Sequence, residues 1–201
     1  MKATSGRLVM TLSIGALLAA APGCGDGPPP RPAAKPPPSW KPEQTREAEA
    51  LGEHLAGLPA AAPGDLTVSL AFGPASDLDL YVTGPREETV YYANTPSGIG
   101  GALTLDRRCI HDAPRVETVE FSAPLVPGRY RVGVDYPDSC AEANGESRAA
   151  APFALRIDGP DADRELEGLA AHRVFEPIVL EFEIEGSASA ESQPEQEEGD
   201  R

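Results

Sequence analysis

Leu66-Thr67-Val68-Ser69-Leu70-Ala71-Phe72 alternates apolar residues with small or polar ones, and Asp77-Leu78-Asp79-Leu80-Tyr81-Val82 repeats the pattern shortly afterwards. A period of two puts every second side chain on the same face of an extended chain, so each stretch reads as a strand with one buried face. Working outward, Tyr130, Val132, Val134 and Tyr136 alternate in the same way, as do Phe153, Leu155 and Ile157. Ile178, Leu180, Phe182 and Ile184 stand opposite Glu181, Glu183 and Glu185. Shorter candidates lie at Thr89–Ala93, Ala102–Leu105 and Val119–Phe121. About seven to nine short strands, punctuated by Gly and Pro, predict an all-β domain over 65–186. The expected architecture is an antiparallel β-sandwich, immunoglobulin-like or jelly-roll-like, with solvated outer faces. A span of about 120 residues suits a single core.

One helix is expected, over 43–60. Ala48, Leu51, Leu55 and Leu58 fall at i, i+3, i+7 and i+10, while Glu43, Arg46, Glu47 and Glu53 point elsewhere. Pro42 is tolerated near the first turn, where its missing N–H has no helical partner to lose. Gly57, Pro59 and Pro63 end the helix.

The N-terminal part reads as targeting sequence. Lys2 and Arg7 precede an apolar run from Leu8 to Ala21, broken only by Thr11, Ser13 and Gly15. That run is shorter than the ~20 residues a membrane-spanning helix needs but suits a signal-peptide core. Small residues lead into Cys24, as in the recognition box of lipoprotein signal peptidase. The expected arrangement is a signal peptide over 1–23, acylation of Cys24 and a stalk over 24–42. Eight prolines between 25 and 42, with Arg31, Lys35 and Lys41 among them, favour an extended polyproline spacer. The chain has three cysteines. With Cys24 lipidated, Cys109 and Cys140 remain as one pair for an oxidising compartment.

Residues 187–201 carry five acids, one arginine and no apolar run, and are expected to form a disordered acidic tail. Across the chain 17 Lys and Arg face 32 Asp and Glu, a formal charge of −15. This balance argues against nucleic acid as a partner. Motifs for catalysis are missing: His54, His111 and His172 have no paired metal spacing, and no serine sits in G-x-S-x-G.

The acidic strand start is the most specific constellation. Asp77 and Asp79 share the face opposite Leu78, Leu80 and Val82, and Asp106, after a glycine turn and a short strand, returns toward the same edge. Like charges this close need a cation, an arginine or amide donors to offset them. Carboxylates with nearby loop carbonyls are the chemistry of Ca2+. Asp77, Asp79 and Asp106 are therefore the candidate metal ligands, with Asp112 and Glu117 as further oxygen donors. The plain alternative has Asp77 and Asp79 accepting hydrogen bonds from loop N–H groups and from Arg107 or Arg108.

The same residues carry a family resemblance. Asp77-Leu78-Asp79-Leu80-Tyr81-Val82 with Pro85, Tyr91-Tyr92-Ala93-Asn94, Ser97, Gly100-Gly101-Ala102-Leu103, Asp106 and Glu117 resemble the YfaP-like bacterial domain of unknown function. Pro127-Gly128-Arg129-Tyr130-Arg131-Val132 is similar to that family's late proline-glycine-tyrosine strand, and the likeness covers roughly 65–160. Cys109 and Cys140 sit where a subset of such proteins has a cysteine pair. Arg115-Val116-Glu117-Thr118 departs from the family's glycine-proline-glutamate form. The Asp-Leu-Asp-Leu-Tyr-Val segment is also similar to pre-peptidase C-terminal β-sandwich domains, some of which bind calcium or matrix polymers. The resemblance implies an accessory domain without established activity.

The sequence thus predicts a non-catalytic lipoprotein of the bacterial cell envelope, on the outer membrane rather than the inner. A sandwich that binds an envelope protein or polymer, with Ca2+ as its one expected cofactor, would face the periplasm or the cell surface. Two alternatives stand beside it: an accessory domain of a secreted or envelope enzyme system with a metal site at the acidic edge, and an envelope structural protein.

Overall fold

The computed structural model describes residues 39–140, 148–160 and 162–186. The signal segment 1–23, Cys24, stalk residues 25–38 and the tail 187–201 lie outside the described residues. The described chain is one helix and nine strands. Helix α1 (Pro42–Ala56) precedes β1 (Leu66–Phe72), β2 (Ser76–Thr83), β3 (Thr89–Val90), β4 (Gly101–Leu103) and β5 (Arg115–Phe121). Then come β6 (Gly128–Ser139), β7 (Ala150–Asp158), β8 (Arg164–Ala171) and β9 (Glu176–Ile184). They form two antiparallel sheets, ordered β4-β5-β1-β7-β8 and β3-β2-β6-β9. The all-β sandwich is therefore present as expected.

Strand alternation builds the core. Leu66, Val68, Leu70 and Phe72 of β1 and Leu78, Leu80 and Val82 of β2 point between the sheets and are buried. Phe121 of β5 meets Tyr130 of β6 edge-on at 5.5 Å across the two layers, and Tyr130 stacks on its ladder partner Phe182 of β9 at 5.4 Å. Buried Tyr130 donates its hydroxyl hydrogen to the Val126 carbonyl four residues back, at 2.9 Å. That bond satisfies its polar end and fixes the entry into β6, as in the tyrosine corner of immunoglobulin-like sandwiches.

Helix α1 lies on the outer face of the five-stranded sheet. Ala48, Leu51 and Leu55 are buried, with Leu51 and Leu55 packed on Ala71 and Ala154, the small outward residues of β1 and β7. The Gln44 side chain accepts the Lys41 N–H at 3.0 Å, half of a capping box. At the other end Arg156 donates to the Leu55 and Leu58 carbonyls, satisfying acceptors the last turn leaves open. The helix stops at Gly57 and does not run to residue 60.

Strand β8 was not among the expected segments. Arg-Glu-Leu-Glu-Gly-Leu-Ala-Ala carries weak strand propensity, yet pairs along its whole length with β7. Gly168 explains part of its composition, because a Cβ there would stand 2.2 Å from Cζ of Phe153. The core ring occupies the space a side chain would need.

Candidate functional site

The acidic cluster forms where β2 has an open edge. Strand β3 covers only Val82 and Thr83, so the backbone of Asp79 and Leu80 has no strand partner on that side. Glu117 fills the gap. Alternation within β5 turns Arg115, Glu117, Val119 and Phe121 inward, which places a carboxylate among core residues at 1% exposure. Its Oε2 accepts the Leu80 N–H at 2.9 Å and its Oε1 accepts the Arg107 N–H at 2.9 Å. One side chain thereby ties the two sheets and the 104–114 loop together.

Asp106 arrives on that loop. Ligand oxygens of Asp79, Asp106 and Glu117 all lie within 4.8 Å of one another, an acidic triad able to hold a metal ion. Two of the three expected ligands are thus brought together, and Glu117 takes the third place. Asp77 does not belong to this triad, nor does Asp112. Asp77 still shares the outer face of β2 with Asp79, and the β2–β6 register shift between them places the extra residue on β6. The Asp77 carboxylate accepts the Cys109 N–H, while its Oδ1 is buried with no hydrogen-bond partner among the described residues.

The other side of β2 adds more negative charge. Asp77 pairs across the ladder with Asp138, and Asp79 with Asp135. Directly opposed like charges destabilise a sheet unless something neutralises them. Neither Asp135 nor Asp138 is recognisable as a site residue in the sequence, because nothing local states that β6 lies beside β2. Alternation with Val134 and Tyr136 was the one available signal, since it sends Asp135 to the outer face.

Charge and burial push these acids toward the protonated form. Asp79 is raised to about 7, first by burial and then by the charges of Asp77, Asp106 and Asp135. Glu117 is raised to about 8 by burial, against the pull of its two amide donors. Asp77 also rises, through burial and Asp106. Arg108 offers partial compensation, its Nε and Nη2 reaching one Asp106 oxygen at 2.7 and 2.5 Å. Among the described residues no hydrogen bond reaches the Asp79 carboxylate. The hydrogen-bonded alternative therefore holds for Asp77, through the Cys109 N–H, whereas Asp79 has only the nearby charge of Arg108 to offset its neighbours.

The loop that carries Asp106 is fastened from below. Cys109 and Cys140 form the expected disulfide, with Cα atoms 5.2 Å apart, joining the loop to the end of β6. Arg115, 4% exposed, donates to four backbone carbonyls: Gly73, Ser76, Cys109 and His111, each at 3.0–3.1 Å. A guanidinium does this readily because its donors diverge in one plane. In the same loop His111 Nδ1 accepts the Arg108 N–H at 2.9 Å. His54 lies in α1 and His172 follows β8, so the three histidines sit on separate elements.

No protein-family model matches this chain, and no curated protein sequence matches it.

Proposed function

We propose that this chain is a non-catalytic, lipid-anchored envelope protein that presents its sandwich as a binding module, with Ca2+ holding the acidic loop edge. The observation that carries the cation is the spacing of the Asp79, Asp106 and Glu117 oxygens. Oxygens bound to one calcium lie ~2.3–2.6 Å from it, so any two are at most ~5 Å apart. The triad's 4.8 Å limit fits that requirement. A divalent cation would also relieve the mutual repulsion of Asp77, Asp79, Asp106 and Asp135, which the present donors leave unbalanced. Hard, all-oxygen ligation favours calcium over softer metals. Backbone carbonyls and water would complete its shell.

Anchoring rests on the sequence and on cysteine pairing. The Cys109–Cys140 bridge supports an oxidising compartment and leaves Cys24 as the remaining thiol. Small residues before Cys24 and the basic, then apolar, segment ahead of it support lipidation there. The resemblance to the YfaP-like and pre-peptidase C-terminal domains belongs to the same reading, as an accessory domain of the envelope.

Calorimetric titration of chelator-stripped protein with CaCl2 tests the cation. Saturable binding is expected, lost in Asp79→Asn and kept when the tail acid Glu197 becomes Gln. Ligand at a hundredfold excess over its Kd stabilises the native state by ~2.7 kcal/mol. Absence of binding heat, together with identical melting curves in chelator and in millimolar calcium, would refute the cation.

A further inference from the structure

The outer face of β2 changes character one residue beyond the acidic edge. Tyr81 follows Asp79 on that face and stands at the centre of an aromatic cluster. Tyr91 stacks on it with ring centroids 5.1 Å apart and planes at 18°. Phe175, from the loop before β9, meets Tyr81 at 4.8 Å, and Tyr92 meets Tyr91 edge-on at 5.3 Å. Phe175, Tyr92 and Ile178 are each about half exposed, at 49%, 47% and 50%. Rings held this open are not serving the core, whose aromatic members are Phe72, Phe121, Tyr130, Tyr136, Phe153 and Phe182.

Tyr81, Tyr91, Phe175 and Ile178 wall a concavity of about 550 Å3, with Tyr92 outside it against Tyr91. Its polar lining is balanced. Thr83 and Thr89 share a hydroxyl hydrogen bond at 2.8 Å, and Arg131 pairs with Glu87. The floor thus offers donors and acceptors together, with no net charge, on a chain whose formal charge is −15.

Its boundaries are built rather than incidental. Two non-glycine residues of the described chain hold a left-handed backbone, Glu87 and Arg173, both at φ 60°. Glu87 lies in the β2–β3 turn, which is closed by the Glu87 N–H on Gly84 and the Gly84 N–H on Glu88, both at 3.0 Å. Arg173 donates its N–H to the Tyr136 carbonyl at 2.7 Å, which fixes the loop that presents Phe175. Strained non-glycine residues gather where a surface is held ready for a ligand.

The chemistry selects the occupant. Nucleic acid needs a positive groove beside its stacking rings, and here the single lining cation is already paired. A folded protein partner takes roughly 800 Å2 of comparatively flat surface, whereas this concavity has the size of a ligand pocket. A pyranose ring presents an apolar C–H face to an aromatic ring and a rim of hydroxyls that both donate and accept. That combination meets stacked tyrosines, threonine hydroxyls and a neutral Arg–Glu pair without burying a charge. We propose that the Tyr81–Tyr91–Phe175 face is a binding site for a neutral glycan. The inference rests on the binding-module reading above, for which it names the class of partner.

The test uses the full chain and titrates it with maltohexaose, cellohexaose and hexa-N-acetylchitohexaose, followed by tyrosine fluorescence and calorimetry, with a decaproline peptide alongside. At least one saccharide should bind. Phe175→Ala and Tyr91→Ala, both in the wall of the concavity, should each weaken it about tenfold, the effect of one lost stacking ring. Tyr81→Ala should weaken it further, with its melting temperature recorded to separate misfolding from lost contact. Binding unchanged in Phe175→Ala and Tyr91→Ala, binding of decaproline alone, or no response to any saccharide would each overturn the proposal. Asp79→Asn separates the two readings: calcium binding lost with saccharide binding kept supports both. A wild type that binds saccharide but no calcium supports this proposal and refutes only the cation.

Discussion

Raising the pH in the presence of chelator should unfold this domain more easily, and Glu117 is the main reason. Its carboxyl titrates near 4.5 in an unfolded chain and near about 8 in the native state. Between those values the unfolded chain has released a proton that the native state still holds. The native state then binds more protons, so stability falls as pH rises. The stabilisation is complete below about pH 4.5 and is lost as pH passes through about 8. One pH unit of such a difference is worth about 1.4 kcal/mol, so a shift of this size corresponds to roughly 5 kcal/mol. Asp79, raised from 3.8 to about 7, acts in the same direction over a lower window. For a domain of this size the combined change should lower Tm by roughly 10 °C between pH 5 and 8. Scanning calorimetry in chelator measures it directly. Calcium should oppose the loss, because binding holds the carboxylates ionised and so strengthens with pH. Glu117→Gln should flatten the pH dependence while costing about 1–3 kcal/mol throughout, since its amide NH2 faces one of the two N–H donors. If Tm in chelator holds steady or rises over this range, and Glu117→Gln behaves like the wild type, the reasoning about this buried carboxyl is wrong.

Four further outcomes are expected. Reducing Cys109–Cys140, or replacing both with Ala, should cost roughly 3–4 kcal/mol by loop entropy, read from denaturant melts; an unchanged midpoint would count against the bridge as a fastening. Arg115→Met should cost at least about 3 kcal/mol because it strands several buried carbonyls, and a loss under about 1 kcal/mol would show that water replaces the guanidinium. Leu80→Ala should destabilise by about 2–5 kcal/mol through a core cavity, whereas Ala substitution at exposed Ile110 should leave urea melts within about 0.5 kcal/mol of wild type. Cys24→Ala should move the mature protein from the membrane fraction to the soluble fraction, and equal detergent partitioning of mutant and wild type would sink the anchor.

Local periodicity determined a good deal here. Strands β1, β2, β6, β7 and β9 are legible because large apolar residues recur at every second position of each segment, and no distant residue is needed to see that. The apolar face of α1, Ala48, Leu51 and Leu55, is legible for the same reason at a different period. Cysteine pairing followed from counting. Strand β8 escaped because an edge strand buries little, and its glycine and alanines answer to Phe153 and its neighbours rather than to their own propensity. Asp79 and Asp106 were recognisable as a charged edge, since two carboxylates beside a turn are conspicuous in one dimension.

Tertiary structure decided which charges meet. Glu117 joins the triad because β5 lies in the opposite sheet and turns it inward beneath the open edge of β2, a fact about layer packing that no spacing encodes. Asp135 and Asp138 face Asp79 and Asp77 because β6 pairs with β2, and of the two β2 aspartates Asp79 is the one whose oxygens meet those of Asp106 and Glu117. The aromatic face has the same origin: Tyr81, Tyr91 and Phe175 come from three separated segments. Sequence sets how each strand divides into faces, since that depends on neighbours along the chain. Which faces and edges touch depends on pairing across the sandwich, and proximity of charge and ring is a property of that pairing alone.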